Sequence, residues 1–360
     1  MAGVKSADRC PGLLRPHPAE DGALIRLRFP GGQTTADTLS ALSGLARTYG
    51  NPELQLTSRA GLQLRGLPDR LPPELTEAIL ALGLIPSARH ERVRNIIASP
   101  LTGISGGMAD LRGLVHDLDR AILDEPSLAD LPGRFLFVLD DGRGDVAGRA
   151  FDLGYRALDG VNGVLLVGGG ELGFPLPVRE AVDALVQLAR DFAVARRASG
   201  AWHVRELPGW TATVEGLGPT DGRAADPPQQ PLGEVAGAAS VAVPLGLLTP
   251  QQVGVVTRVA AGPLVITPWR GLVLPGGAAG LSALTASGLV ATADSPWAHI
   301  SACVGAPYCG QASGSTRALA VELVQRGDVD RRTHLSGCER RCGAPVDDHR
   351  DVLVAHGAVR

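Results

Sequence analysis

Hydrophobic and polar positions along the chain fall into two tracts that share one order of elements. In the first, GALIRLRF alternates apolar and basic residues and predicts a strand with Ile25, Leu27 and Phe29 on one face. TTADTLSALSGLARTYG then places Leu39, Leu42, Leu45 and Tyr49 on a helical stripe, with Thr34 or Thr35 to cap its start and Gly50 to end it. ELQLTS and GLQLRGL predict a hairpin, and PPELTEAILALG opens a second helix with proline in its first turn. The second tract repeats the order. SVAVPL predicts a strand, and TPQQVGVVTRVAA a helix capped by Thr249 with Pro250 in its first turn. PLVITP and GLVLPG predict a hairpin, AAGLSALTASG a helix and LVATAD a closing strand. The hairpins align letter by letter, LTSRAGLQL against ITPWRGLVL. We read two copies of a β-α-β-β-α unit related by a pseudo-twofold axis; chance similarity of two α+β stretches is the alternative.

Between the copies, GGMADLRGLVHDLDRAILD and REAVDALVQLARDFAVARR predict amphipathic helices, while GRFLFVLDD and NGVLLVGGG predict strands. TDGRAADPPQQPLGE reads as a linker before the second copy. After that copy comes STRALAVELVQRG, a helix, and DVLVAHG, a last strand. The pattern divides the chain into 10–90, 91–220, 230–296 and 297–360.

Composition changes this picture little. At 44% hydrophobic and 20% charged residues the chain is ordinary for a globular protein, and a formal charge of -3 argues against a nucleic-acid or membrane-surface binder. No apolar run approaches the roughly 20 residues that span a bilayer. The opening MAGVKSADRC lacks an apolar signal core, which leads us to expect a cytoplasmic protein. Lys5 is the only lysine, so an anionic ligand would be held by guanidinium forks. Compositional bias explains the arginines equally well.

Four of the five cysteines change the picture more. Cys303-x5-Cys309 and Cys338-x3-Cys342 lie within forty residues, in glycine-rich loops, CVGAPYCG and SGCERRCGAP. In a cytosolic protein such clustering points to metal or redox chemistry. Four thiolates in two short pairs suit a 4Fe-4S cluster. A structural zinc ion is the alternative, although zinc pairs are usually two to four residues apart; unliganded cysteines are another. His334, four residues before Cys338, reads either as a core histidine or as a partner of the metal. Cys10 reads as packing or as a local functional group. Gly168, Gly170 and Gly173 of VGGGELG satisfy the dinucleotide pattern G-x-G-x-x-G, yet FPLP follows where a helix should start at once. We therefore favour a loop offering backbone amides, or a tight turn.

The cysteine spacing resembles the signature of the sirohaem-dependent nitrite and sulfite reductases, in which the last cysteine also bridges the cluster to the sirohaem iron. RNIIASPLTGI, LPGRF and VGGGELG occur in the order that family shows, so the resemblance covers most of the chain. Within it, the precorrin-3B synthase branch of cobalamin biosynthesis looks most similar. Its members open with a segment like RCPGLLR, carry LTSRAGLQLRGL in the first repeat and fill the last cysteine pair with charge, as SGCERRCG does. The resemblance implies an α+β protein of nitrite/sulfite reductase type. On the boundaries above, two ferredoxin-like half-domains (10–90 and 230–296) would join a tetrapyrrole-binding α/β domain (91–220) and a 4Fe-4S domain (297–360).

It further implies an iron–sulfur monooxygenase that converts precorrin-3A to precorrin-3B with dioxygen. Electrons would come from a ferredoxin or an NAD(P)H-dependent flavoprotein. Cys303, Cys309, Cys338 and Cys342 would bind the cluster. Arg59, Arg94 and Arg134 would hold the macrocycle with the amides of Gly168, Gly169 and Gly170, although each arginine also reads as a surface charge. An additional iron or sirohaem is left open as the oxygen site. Leu136 stands where the sulfite enzymes carry a lysine. The alternatives are a sirohaem-dependent nitrite or sulfite reductase and a non-catalytic carrier of a cluster or tetrapyrrole.

Overall fold

A computed structural model describes residues 8–220, 230–345 and 348–354. The first copy runs through β1 (His17–Ala19), β2 (Gly22–Leu27), β3 (Gln33–Thr34), α1 (Ala36–Tyr49), β4 (Leu54–Leu56), β5 (Leu62–Leu67) and α2 (Pro73–Ala81). The middle region holds β6 (Ile96–Ala98), α3 (Arg112–Asp124), β7 (Phe137–Asp140), β8 (Leu153–Ala157), β9 (Asn162–Val167), β10 (Leu172–Pro177), α4 (Ala181–Ser199), α5 (Pro208–Thr211) and β11 (Gly218–Pro219). The second copy repeats the first: β12 (Gly233–Val235), β13 (Ala238–Ala242), β14 (Leu247–Leu248), α6 (Pro250–Val259), β15 (Leu264–Ile266), β16 (Gly271–Leu274) and α7 (Leu281–Ala286). The last segment adds α8 (Pro296–His299), β17 (Ile300–Ala302), α9 (Thr316–Arg326), β18 (Thr333–Ser336) and β19 (Arg350–Leu353).

These elements form two compact units. One contains 8–12, 28–32, 85–220 and 230, the other 13–27, 33–84, 231–345 and 348–354. Most of the expected linker, residues 221–229, and the end of the last expected strand, 355–357, lie outside the described residues.

The duplication is visible as an exchange of strands within the second unit. Its two five-stranded sheets have the orders β1-β2-β5-β4-β14 and β12-β13-β16-β15-β3. Each copy lends the short strand before its first helix to the edge of the other copy's sheet, Leu248 opposite Leu54 and Thr34 opposite Leu264. Alternation buries Leu54, Leu56, Leu62 and Leu64 on one face of the first sheet. Helix α1 covers it with Leu39, Leu42, Ser43 and Ala46, a stripe turned away from the expected Leu45 and Tyr49 because small residues let helix and sheet approach closely. Thr35 caps α1, and Thr249 and Gln252 form a full capping box on α6. The expected strand LVATAD reduces to one bridge, Val290 to Ala242, before the chain turns into α8.

The first unit is a six-stranded mixed sheet, β11-β10-β9-β8-β7-β6. Strands β6, β7 and β8 run parallel, as strands linked by long crossovers do, and β8 to β11 alternate. Val115, Leu118 and Ile122 of α3 pack with Leu185 and Phe192 of α4 over Phe137, Leu139, Tyr155 and Leu165. FPLP, read above only as a break before the helix, is most of β10. Pro175 and Pro177 are tolerated because β11 pairs only with Leu172 and Gly173, so both prolines lie on an open edge.

Candidate functional site

The four cysteines converge at the end of a small parallel sheet, β17-β18-β19. Cys303 follows β17, and its amide continues the ladder to the Leu335 carbonyl at 2.9 Å. Cys338 follows β18 by one glycine, so both pairs begin at the carboxyl ends of adjacent parallel strands, where open α/β sheets place their ligands. The Gly337 amide donates to Cys303 Sγ at 3.1 Å, and Thr316 Oγ1, from the first turn of α9, donates to the Cys303 carbonyl at 2.7 Å. Burial, and after it the neighbouring Cys303, Cys338 and Cys309, pushes the Cys342 thiol pKa up. Cys342 thus feels the other three cysteines, and the four form one donor set.

Each cysteine pair is braced by an arginine from a different half-domain. Arg65 of β5 makes a bidentate pair with Asp21, at 2.8 and 3.1 Å, and donates to the Tyr308 carbonyl, next to Cys309, at 3.2 Å. Arg317 of α9 lies 4.4 Å over the Tyr308 ring and pairs with Glu53. Arg270, between β15 and β16, donates to the Gly343 carbonyl, next to Cys342, at 3.0 Å. Neither Arg65 nor Arg270 belongs to the spacing pattern that singled out the cysteines. The letter-by-letter match of the two hairpins was the one sequence signal that pointed toward Arg270.

His334 stands behind the second pair. It is fully buried on β18, bonds Ser301 Oγ through Nδ1 at 2.9 Å and leaves Nε2 without a hydrogen bond. Burial, then the charge of Arg270, lowers its pKa to about 4, so the ring is neutral near pH 7.

The donor set suits an iron–sulfur cluster better than zinc. Among the described residues no three of these sulfurs lie within 4.8 Å of one another, whereas sulfurs about 2.3 Å from a single zinc ion would crowd closer than that. Among the described residues the one trio of potential ligands that close is Asp140, Asp141 and Asp145, buried in the first unit. Its geometry explains itself. Asp140 accepts from the amides of Gly142, Gly144, Val146 and Ala147, and Arg143 pairs with Asp141 at 2.7 Å. Burial and the charge of Asp140 raise Asp145 to about 7. The trio is a self-folded loop with its own counter-charge.

Sequence comparisons join these observations. Residues 17–82 match the nitrite/sulfite reductase ferredoxin-like half domain. A precorrin-3B synthase of a Sinorhizobium species is 27% identical over 386 residues, spanning 96% of this chain and 80% of that protein. The fold is of the nitrite/sulfite reductase type. A ferredoxin–nitrite reductase of Synechococcus elongatus is 33% identical over 127 residues, which is 33% of this chain and a quarter (25%) of that protein. The Mycobacterium tuberculosis NirA protein shares the fold, with a TM-score of 0.71 at 20% identity over 89% of this chain and 69% of its own.

The chain distributes its other expected site residues unevenly. Arg59 is half-buried in the β4–β5 turn, in the unit that holds the cysteines. Arg94 lies in the other unit, where Nε and Nη2 grip Asp119 of α3 at 2.7 and 2.6 Å. Arg134 is exposed and stacks 4.5 Å over Trp202. Gly168, Gly169 and Gly170 form the turn of the β9–β10 hairpin, all with positive φ (64°, 95° and 86°). A Cβ on Gly168 or Gly169 would meet nothing, so backbone conformation and not space requires glycine there. No helix opens at this turn, which removes the dinucleotide reading. Cys10 donates to the Gly133 carbonyl at 3.0 Å, and buried Arg28 ties the same segment down through Pro11 and Asn95. Leu136 is in the core, 4% exposed. No helix among the described residues is long and apolar enough to cross a membrane.

Proposed function

We propose that this protein is a precorrin-3B synthase, an iron–sulfur monooxygenase that inserts one oxygen atom of dioxygen into precorrin-3A while two external electrons reduce the other atom to water. The observation that carries the reading is the match to a precorrin-3B synthase across 96% of the chain. Cys303, Cys309, Cys338 and Cys342 hold a 4Fe-4S cluster, which when bound supplies single electrons. The chain's own part in that site is legible. Gly337 directs an amide at the Cys303 sulfur, and Arg65 and Arg270 fix the two loops. Such fixed dipoles and charges limit reorganisation when charge moves. Arg59, Arg134 and the amides of Gly168, Gly169 and Gly170 are the proposed partners of the substrate's carboxylates. Arg94, with its fork on Asp119, holds the backbone leading into β6.

The buried Leu136 supports this reading, since a reductase of a small dianion gains from a cation that this position lacks. A second reading, a sirohaem-dependent nitrite or sulfite reductase, is favoured by the 33% identity to a ferredoxin–nitrite reductase. Both place the protein with an electron donor such as a ferredoxin or an NAD(P)H-dependent flavoprotein, in the cytoplasm. Anaerobic purification, an absorption spectrum and acid–acetone extraction separate them. An iron–sulfur shoulder without extractable tetrapyrrole, together with oxygen-dependent conversion of precorrin-3A, is the expected result. Stoichiometric sirohaem with turnover of nitrite or sulfite would move the assignment to the second reading.

A further inference from the structure

Arg270 is a cation of the cysteine-bearing unit whose hydrogen bond goes to the loop beside Cys342. It occupies the left-handed corner of the β15–β16 turn at φ 62°, a conformation that side chains adopt only at a cost. Its counterpart in the first copy, Ala60, adopts φ 54°. The turn therefore demands the corner but not an arginine.

The surroundings are cut to admit that side chain. A Cβ on Gly246 would lie 2.8 Å from Arg270 Cδ, and one on Gly343 2.8 Å from its Nη2. Among the described residues no carboxylate pairs with it, and its hydrogen bond goes to the neutral Gly343 carbonyl. Desolvation lowers its pKa from the ordinary value without removing its charge at neutral pH, and its field reaches His334. A half-buried cation with no carboxylate partner among the described residues calls for an anion, and beside the Gly343 carbonyl that it holds stands Cys342, the last of the four cysteines.

We propose that Arg270 is the fixed counter-cation of the cluster: it clamps the Cys338–Cys342 loop through the Gly343 carbonyl and favours the reduced, more negative state of the cluster over the oxidised one. The inference rests on the cluster reading of the four cysteines. Its electrical content is simple. Reduction adds one electron to the thiolate-bound group, and a cation fixed beside the ligand loop stabilises the added charge while a neutral side chain in the same place does not.

The test is a potentiometric titration, followed by electron paramagnetic resonance, of anaerobically reconstituted full-length protein. Arg270→Gln keeps an N–H for Gly343 and loses the charge. We expect it to retain iron and sulfide while its reduction equilibrium moves at least about tenfold toward the oxidised form, about 59 mV for one electron. Arg270→Lys keeps the charge and is expected within about threefold of the parent. Unchanged potential in a fully loaded Arg270→Gln protein would overturn the inference. If the Gln variant fails to hold iron, the Lys variant decides: a parent-like potential supports the proposal, and loss of iron or a shift away from the parent refutes it. A parent protein that binds no cluster would sink the underlying reading instead, which iron and sulfide analysis before titration reveals.

Discussion

The two half-domains brace the two cysteine loops in the same way but with opposite electrical results. Arg65 of the first copy and Arg270 of the second each donate to a carbonyl beside a cysteine. Arg65 is cancelled by a bidentate Asp21, both side chains less than a tenth exposed. Arg270 has no such partner among the described residues. The turn that carries Arg270 nevertheless matches the first copy's β4–β5 turn, where Ala60 stands in its place. Thr57 and Thr267 each accept from a glycine amide through Oγ1, at 3.2 and 3.1 Å, and each receives the amide of the left-handed residue on its carbonyl. The copied turn carries a charge in the second half-domain and an alanine in the first, whose strut is instead the ion-paired Arg65 on the following strand. Duplication here preserves geometry and divides the electrostatics.

The comparison can be broken at several depths. The largest effect is expected from Cys303→Ala or Cys342→Ser, which remove a thiolate from the site that both struts serve; cluster-bound iron after anaerobic reconstitution should fall by tenfold or more. Next, Arg65→Ala strands the buried Asp21 carboxylate and should destabilise the protein by about 3–5 kcal/mol in denaturant titrations. Adding Asp21→Asn should return part of that loss, because the stranded charge and not the missing contact dominates it. Thr267→Val removes a fully buried acceptor and should cost about 2 kcal/mol, while Thr57→Val, half-exposed, should cost about 1. An equal cost would show that the two turns are embedded alike. Smallest are the caps: Thr249→Ala should cost about 1 kcal/mol, and Thr35→Ala about half that, since Thr35 has no reciprocal Gln252.

What the sequence disclosed follows the range of each interaction. The duplicated order of elements, the helix caps at Thr35 and Thr249 and the cysteine pairs were legible because each is written in local spacing or local chemistry. The strand exchange was not, since nothing in QT or LL names a partner in the other copy. Strand β10 was missed because its two prolines read as a break, and only the shortness of β11 makes them acceptable. Arg65 and Arg270 escaped notice for a related reason. An arginine in a strand or turn looks like a surface charge until the fold brings Tyr308 and Gly343 against it. Arg94 illustrates the converse, a residue legible by position whose fork is taken up by Asp119.

The reciprocal edges have a consequence for synthesis. While the first copy emerges from the ribosome its sheet ends at β4 with an open rim, because Leu54 finds its partner only when Leu248 has been made. The nascent first half is thus exposed to wrong pairing for most of translation, and closure depends on a contact of long sequence separation, the kind that forms slowly. Neither half completes its own sheet; cut apart and expressed as separate chains, the halves would have to find each other before either sheet gained its last strand.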